Sequence, residues 1–127
     1  GYVSLAAKYA MINNGPALPQ AALLGANGFV THLANVWPEH EVALWKRFSA
    51  GEVAEATAAF LGVNWPWRSL RVWAHTEIAG GESLLVKPAA EMTGFHGGPN
   101  RPPMIDLDGT QRARVRSLLE QIGAPLL

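Results

Sequence analysis

The chain has 127 residues, ten Lys and Arg against ten Asp and Glu, no cysteine and an apolar fraction of 49%. That length suits one domain with one modest core, and the zero formal charge argues against nucleic acid or a membrane surface as partner, because both select a basic face. The missing cysteines exclude disulfides and thiolate metal sites and fit a cytoplasmic protein.

No stretch approaches the ~20 apolar residues of a membrane helix, and Gly1–Leu5 lacks the basic and long apolar regions of a signal peptide. A chain that opens on Gly1 rather than Met is expected to have been processed, tagged or cut.

Tyr9-Ala10-Met11-Ile12 is an apolar run closed by the turn formers Asn13-Asn14-Gly15-Pro16, which predicts a buried strand. Pro16 to Leu24 is alanine-rich and followed by Gly25, which suits a short helix. Gly28 to Leu33 carries the aromatic and β-branched residues of a second buried strand. Strand, helix and strand in that order predict a parallel pair.

Pro38 opens a helix through Ser49, with Glu39 and Glu41 in its first turn and Lys46 and Arg47 in its last, as the helix dipole favours. From Glu52 the apolar residues Val53, Ala56, Ala59/Phe60 and Val63 recur at helical spacing. Pro66 is expected to interrupt or kink that pattern, and Trp67 to Ala74 to resume it. Gly80-Gly81 is a break. Ser83 is a candidate cap for a helix to Met92-Thr93, closed by Gly94, and Gly97 to Pro103 reads as a loop whose prolines fix its path. Asp108 or Thr110 starts the last helix, which ends near Ile122-Gly123. Four of the five tryptophans (Trp37, Trp45, Trp65, Trp67) fall in one stretch, as a bulky helical core or a subunit contact would require; a ligand-stacking role is the alternative.

Two parallel strands alone make a poor sheet, since parallel strands need both faces covered and leave open edges. Further sequence upstream is expected on that ground alone.

Gly25-Ala26-Asn27-Gly28-Phe29-Val30-Thr31-His32-Leu33-Ala34-Asn35-Val36, with Pro38 after it, resembles the dihydrodipicolinate synthase / N-acetylneuraminate lyase family. Ala50-Gly51-Glu52-Val53-Ala54-Glu55-Ala56, Val86-Lys87-Pro88-Ala89-Ala90, and Gly94 with Arg101-Pro102-Pro103-Met104 resemble three further family patterns, in the right order over residues 9 to 125. The resemblance implies an α/β fold: the C-terminal part of a (β/α)8 TIM barrel, with the last two strand–helix units in residues 1–50 and a helical subdomain in 51–127. It puts Tyr9–Ile12 on the seventh strand and Gly28–Leu33 on the eighth.

Members hold a keto acid, often pyruvate, as a Schiff base on a sixth-strand lysine. The resemblance provides no counterpart for that lysine among Lys8, Lys46 and Lys87, so no catalytic residue is expected in this chain. The substrate lining is expected to be Asn13 and Asn14 after the seventh strand, Val30 through its backbone carbonyl, Thr31 and His32 on alternate faces of the eighth, and Glu82. Asparagine also suits a plain turn, and a histidine at a strand end serves either proton transfer or wall packing. Glu82 stands where synthases often have asparagine, which, with Asn13-Asn14 and His32, points away from the lysine-biosynthesis members. Arg101 is expected to brace its loop, and His40, His75 and His96 to be solvated. Their spacing matches no metal site, and no cofactor is implied.

The expected function is therefore a fragment of an aldolase or dehydratase acting on a 2-keto acid or sugar acid. Its partners would be the keto-acid substrate, the remainder of the barrel and further copies in a homo-oligomer. The alternatives are a truncated, non-catalytic barrel chain and a small helical binding protein.

Overall fold

The protein is described by a computed structural model covering residues 4, 5, 7–14 and 17–127. The expected Gly15-Pro16 turn lies outside these residues.

Strands β1 (Ile12–Asn14) and β2 (Gly28–Val30) pair in parallel, with Ile12 opposite Gly28, Asn13 opposite Phe29 and Asn14 opposite Val30. Helix α1 (Leu18–Leu23) connects them and ends at Gly25, whose φ of 86° only glycine adopts freely. The first strand thus starts three residues later than Tyr9. Upstream, the Lys8 and Tyr9 N–H groups both donate to the Leu5 carbonyl and close a turn, so the ladder cannot begin there. Asn13 and Asn14 are strand residues, not the turn after one.

The second strand also stops early. The Thr31 hydroxyl accepts the Leu33 N–H at 3.1 Å and starts a 3-10 turn over His32–Asn35, which carries the chain out of the sheet. Thr31 and His32 therefore do not alternate on a strand.

Helix α2 (Pro38–Ser49) matches its expected bounds, with proline in its first turn and its charges arranged along the dipole. Helix α3 (Val53–Ala59) runs through a π turn (Phe60–Asn64) into α4 (Trp65–Glu77). Pro66 has no N–H to donate, and the wider turn ahead of it lets the rod continue without the regular bond. Gly80 and Gly81, at φ of 103° and 67°, reverse the chain into α5 (Ser83–Met92). Ser83 does not cap this helix; its hydroxyl donates to the Gly80 carbonyl at 2.9 Å. Asp108 caps α6 (Gly109–Gln121) in a reciprocal capping box with Gln111.

Two cores result. The larger joins Leu33 and Val36 to α4, α5 and α6 through Trp67, Leu70, Leu85, Val115 and Leu119. The smaller packs Leu18, Leu44, Phe48, Ala56 and Phe60, with Phe29 and Trp45 on its edge. Both cores draw residues from either side of Gly51. The Thr93 hydroxyl donates to the Val36 carbonyl at 2.7 Å and ties the end of α5 to the 3-10 turn. Trp67 alone of the clustered tryptophans is fully buried; Trp65 is exposed. Among the described residues no helix is long and apolar enough to cross a membrane.

Candidate functional site

The pleat decides which strand residues face where. Asn13 pairs with Phe29, whose ring packs 5.7 Å from Trp45, so this face of the sheet is covered by α2. Ile12, Asn14, Gly28 and Val30 share the opposite face, where Ile12 and Val30 are 55% and 57% exposed. The two asparagines thus part company: Asn14 lies on the open face and Asn13 on the helix side, where its Oδ1 is buried without a partner among the described residues.

A cavity of about 470 Å³ lies beyond the carboxyl ends of both strands, where α/β proteins place their ligands. Asn14, Val30 and Thr31 line it from the strand side, Leu18, Phe29 and Phe60 form its apolar floor, and Asn64, Trp67, Arg68, Arg71 and His75 line it from α4 and the preceding π turn. Glu82 closes the rim. Of the expected lining residues, Asn14, Val30, Thr31 and Glu82 come together here, whereas Asn13 and His32 do not line this cavity.

Glu82 is held rather than free. Arg71 donates from Nε to Oε2 at 2.9 Å and from Nη2 to Oε1 at 2.8 Å, a bidentate fork. Those hydrogen bonds hold the Glu82 carboxyl below its usual range against the opposing effect of desolvation. His32 Nδ1 stands 3.9 Å from Oε1, an ion pair only when the ring is protonated. The pair is about a third exposed, so it contributes mainly orientation, with little net stability.

Behind the α4 wall, Asn64 Nδ2 donates to Glu41 Oε1 at 2.6 Å, and Asn64 Oδ1 lies 3.0 Å from His40 Nε2. Glu41 is only 4% exposed, and burial pushes its carboxyl up to about 7, the Asn64 bond opposing this. His40 is not solvated as expected. It is half-buried, stacks on Trp37 at 4.9 Å, and burial lowers its basicity. With Nδ2 facing the carboxyl, Asn64 presents only its oxygen to the ring, so His40 Nε2 carries the hydrogen.

Asn64, Arg68, Arg71 and His75 were the lining residues missed in the sequence. Their signal was present: steps of four, three and four residues put them on one stripe of a helix, where α4 otherwise reads as apolar core. Among the lysines, Lys87 Nζ donates to the Pro99 carbonyl at 2.7 Å and Lys8 lies over the Tyr9 ring. None of the three lines this cavity.

Comparisons with known proteins bear on the family and the fold. A family model described as "Dihydrodipicolinate synthetase family" matches residues 9–122. A probable 5-dehydro-4-deoxyglucarate dehydratase from Rhizobium meliloti is 28% identical over 97 residues, 76% of this chain and 31% of the relative. A 4-hydroxy-tetrahydrodipicolinate synthase from Exiguobacterium is 33% identical over 109 residues, 86% of this chain and 34% of the relative. The crystal structure of dihydrodipicolinate synthase from Oceanobacillus iheyensis superposes with a TM-score of 0.63 at 24% identity, over 84% of this chain and 34% of that one, a likeness of fold. The chain therefore spans about a third of the length of the relatives it matches. It belongs to the dihydrodipicolinate synthetase family.

Proposed function

We propose that this chain is the C-terminal portion of a Schiff-base lyase, an aldolase or dehydratase, acting on a 2-keto acid or a sugar-acid derivative. Residues 1–50 supply the last two strand–helix units of a (β/α)8 barrel and 51–127 a helical subdomain packed beside them. The lysine that forms the imine lies in sequence outside this chain. The chemistry asks for no separate cofactor, because the protonated imine is itself the electron sink. The setting is cytoplasmic, and copies of the whole enzyme associate as a homo-oligomer.

The observation that carries this proposal is the cavity at the carboxyl ends of two parallel strands, in a chain of this family. The exposed apolar side chains of Ile12 and Val30 on one sheet face support it, since a parallel sheet is stable only with both faces covered. In this role Asn14, Thr31, the Val30 backbone and Glu82 face the substrate. His32 acts from behind Glu82, and Asn13 packs on the helix side. The division at residue 50 is then one of topology, because the two cores cross it.

Trapping with pyruvate and borohydride tests the proposal. The chain alone should keep its intact mass. Joined to the upstream segment of the Exiguobacterium relative, it should gain one pyruvyl adduct, located by peptide mapping in the added segment. An adduct on Lys8, Lys46 or Lys87 would place the nucleophile in this chain, and a folded, joined protein that traps nothing would end the Schiff-base assignment.

A further inference from the structure

We infer that Glu41 is a proton-linked positioning residue: protonated, it anchors the π-turn wall of the strand-end cavity through Asn64, and ionised, it lets Asn64 go. The device regulates the cavity from behind its wall, and its meaning for catalysis rests on the proposed role of that cavity as the substrate cavity.

The π turn Phe60–Asn64 is the weak point of the rod that carries this wall. The Trp65 N–H closes it by donating to the Phe60 carbonyl, a wider and rarer ring than the regular helical bond, and Pro66 beside it has no N–H to add. Asn64 is its last residue and lines the cavity, and Arg68 and Arg71 follow on α4. The Asn64 amide ties the turn to α2. Its Nδ2 donates to Glu41 Oε1 at 2.6 Å and its Oδ1 accepts from His40 Nε2 at 3.0 Å, so both ends of the amide are used.

Glu41 makes this tie conditional. Its side chain is buried, and its Oε2 has no partner among the described residues. Protonated on Oε2, the group is neutral and keeps the Asn64 bond on Oε1. Ionised, it is a buried anion with one donor and, among the described residues, no cation within ion-pair distance. The elements around it do not answer that charge. On α2 itself, His40 Nε2 faces Asn64, and Lys46 shares with Glu41 the groove between α2 and β2. The 3-10 turn brings only His32, which faces Glu82, and α3 only Glu55, which is exposed. Helix α1, β2 and the π turn carry no titratable side chain. On α4, Arg71 is held by Glu82 and Arg68 stacks on Trp65. Burial pushes the Glu41 carboxyl up to about 7 and outweighs the Asn64 bond, which acts the other way. An ionised Glu41 therefore gains more from water than it loses with the amide. It turns into the groove it lines, and Asn64 is left without its acceptor.

The Asn64 side-chain amide reports this directly by NMR on the chain alone. At pH 5 its protons should show contacts to the Glu41 methylenes, and these should be lost by pH 8 in one transition near pH 7. The indole signal of Trp67, buried three residues on from Asn64, should move in step. Glu41→Gln keeps the acceptor and should hold the pH 5 pattern at pH 8. Glu41→Met, which also cannot titrate, should show no transition and serves where the glutamine variant fails to fold. His40→Gln should leave the transition in place. Asn64→Ala, or Asn64→Ser where alanine is not tolerated, should leave Glu41 titrating while the Trp67 signal stays still. Asn64 contacts that persist at pH 8 in the natural chain, a transition that survives in a folded Glu41 variant or vanishes in His40→Gln, or a Trp67 signal that still follows Glu41 without Asn64 would each overturn the inference. No substrate and no imine take part, so these outcomes are independent of the borohydride experiment, which can fail or succeed on its own.

Discussion

Asn64 joins two side chains that neighbour each other on α2: its amide nitrogen donates to Glu41 at 2.6 Å and its amide oxygen meets His40 Nε2 at 3.0 Å. The π turn that ends at Asn64 places this amide between the α2 carboxyl and the cavity beyond the strands, so it belongs to both. The contributions of the two groups to stability respond to pH in opposite directions.

Glu41 has its carboxyl raised from 4.5 to about 7 in the folded protein. Between those values the folded state holds a proton that the unfolded state has lost, so stability falls as pH rises, by roughly 3 kcal/mol across the window. His40 is lowered below its ordinary 6.5, so it takes stability away as pH falls through that value. Glu41→Gln keeps the acceptor for Asn64 and removes the titration. Urea unfolding from pH 4.5 to 7.5 should show the fall with rising pH in the natural chain. The glutamine variant should lose that fall and retain the rise contributed by His40 and, at the acid end, by Glu82.

Asn64→Ala removes the single donor that the Glu41 carboxyl has among the described residues. It should cost about 1–3 kcal/mol, and more at pH 8 than at pH 5, because the unpaired group is then charged as well as buried. Combined with Glu41→Gln, the second substitution should cost clearly less than it does alone, a coupling read from a double-mutant cycle of unfolding energies.

Asp108 accepts the Gln111 N–H at 2.8 Å while the Gln111 side chain accepts the Asp108 N–H at 3.0 Å. Asp108→Ala should lower stability by about 1 kcal/mol and Asp108→Asn by much less, since asparagine also caps. The denaturation midpoint should move with an unchanged slope, as only the start of α6 is affected.

Gly97 shows no unusual φ, yet a Cβ there would run into the backbone carbonyl of Lys87, which cannot move without disturbing α5. Gly97→Ala should therefore destabilise the protein by roughly 1–3 kcal/mol. It should also loosen the Lys87 contact with the Pro99 carbonyl, seen as faster amide exchange across Gly97 to Asn100.

Local chemistry was legible in the sequence. The ends of α2 follow from Pro38, the acids after it and the bases before Gly51, and the start of α6 from Asp108 with Gln111 three residues on. Each signal acts within one turn of helix, so it needs no distant partner. The family resemblance was carried by short runs of the same kind, and the family model covers nearly the span those runs define.

The site was legible only in part, because its members depend on where chain segments meet. Asn13 and Asn14 look alike as neighbours, but the register with β2 sends one to the helices and the other to the open face. Thr31 has strand propensity, yet its hydroxyl captured the Leu33 N–H and ended the strand. By itself the sequence determined the helices, the charged ends of α2, the cap of α6 and the family, since these rest on contacts a few residues apart. Only the tertiary structure decided that Glu41, legible as a dipole-compensating surface acid, is buried under Asn64, and that Arg68, Arg71 and Trp67 face the same cavity as the strand ends. Burial and charge balance are properties of the packed ensemble of segments, and no single stretch of chain contains them.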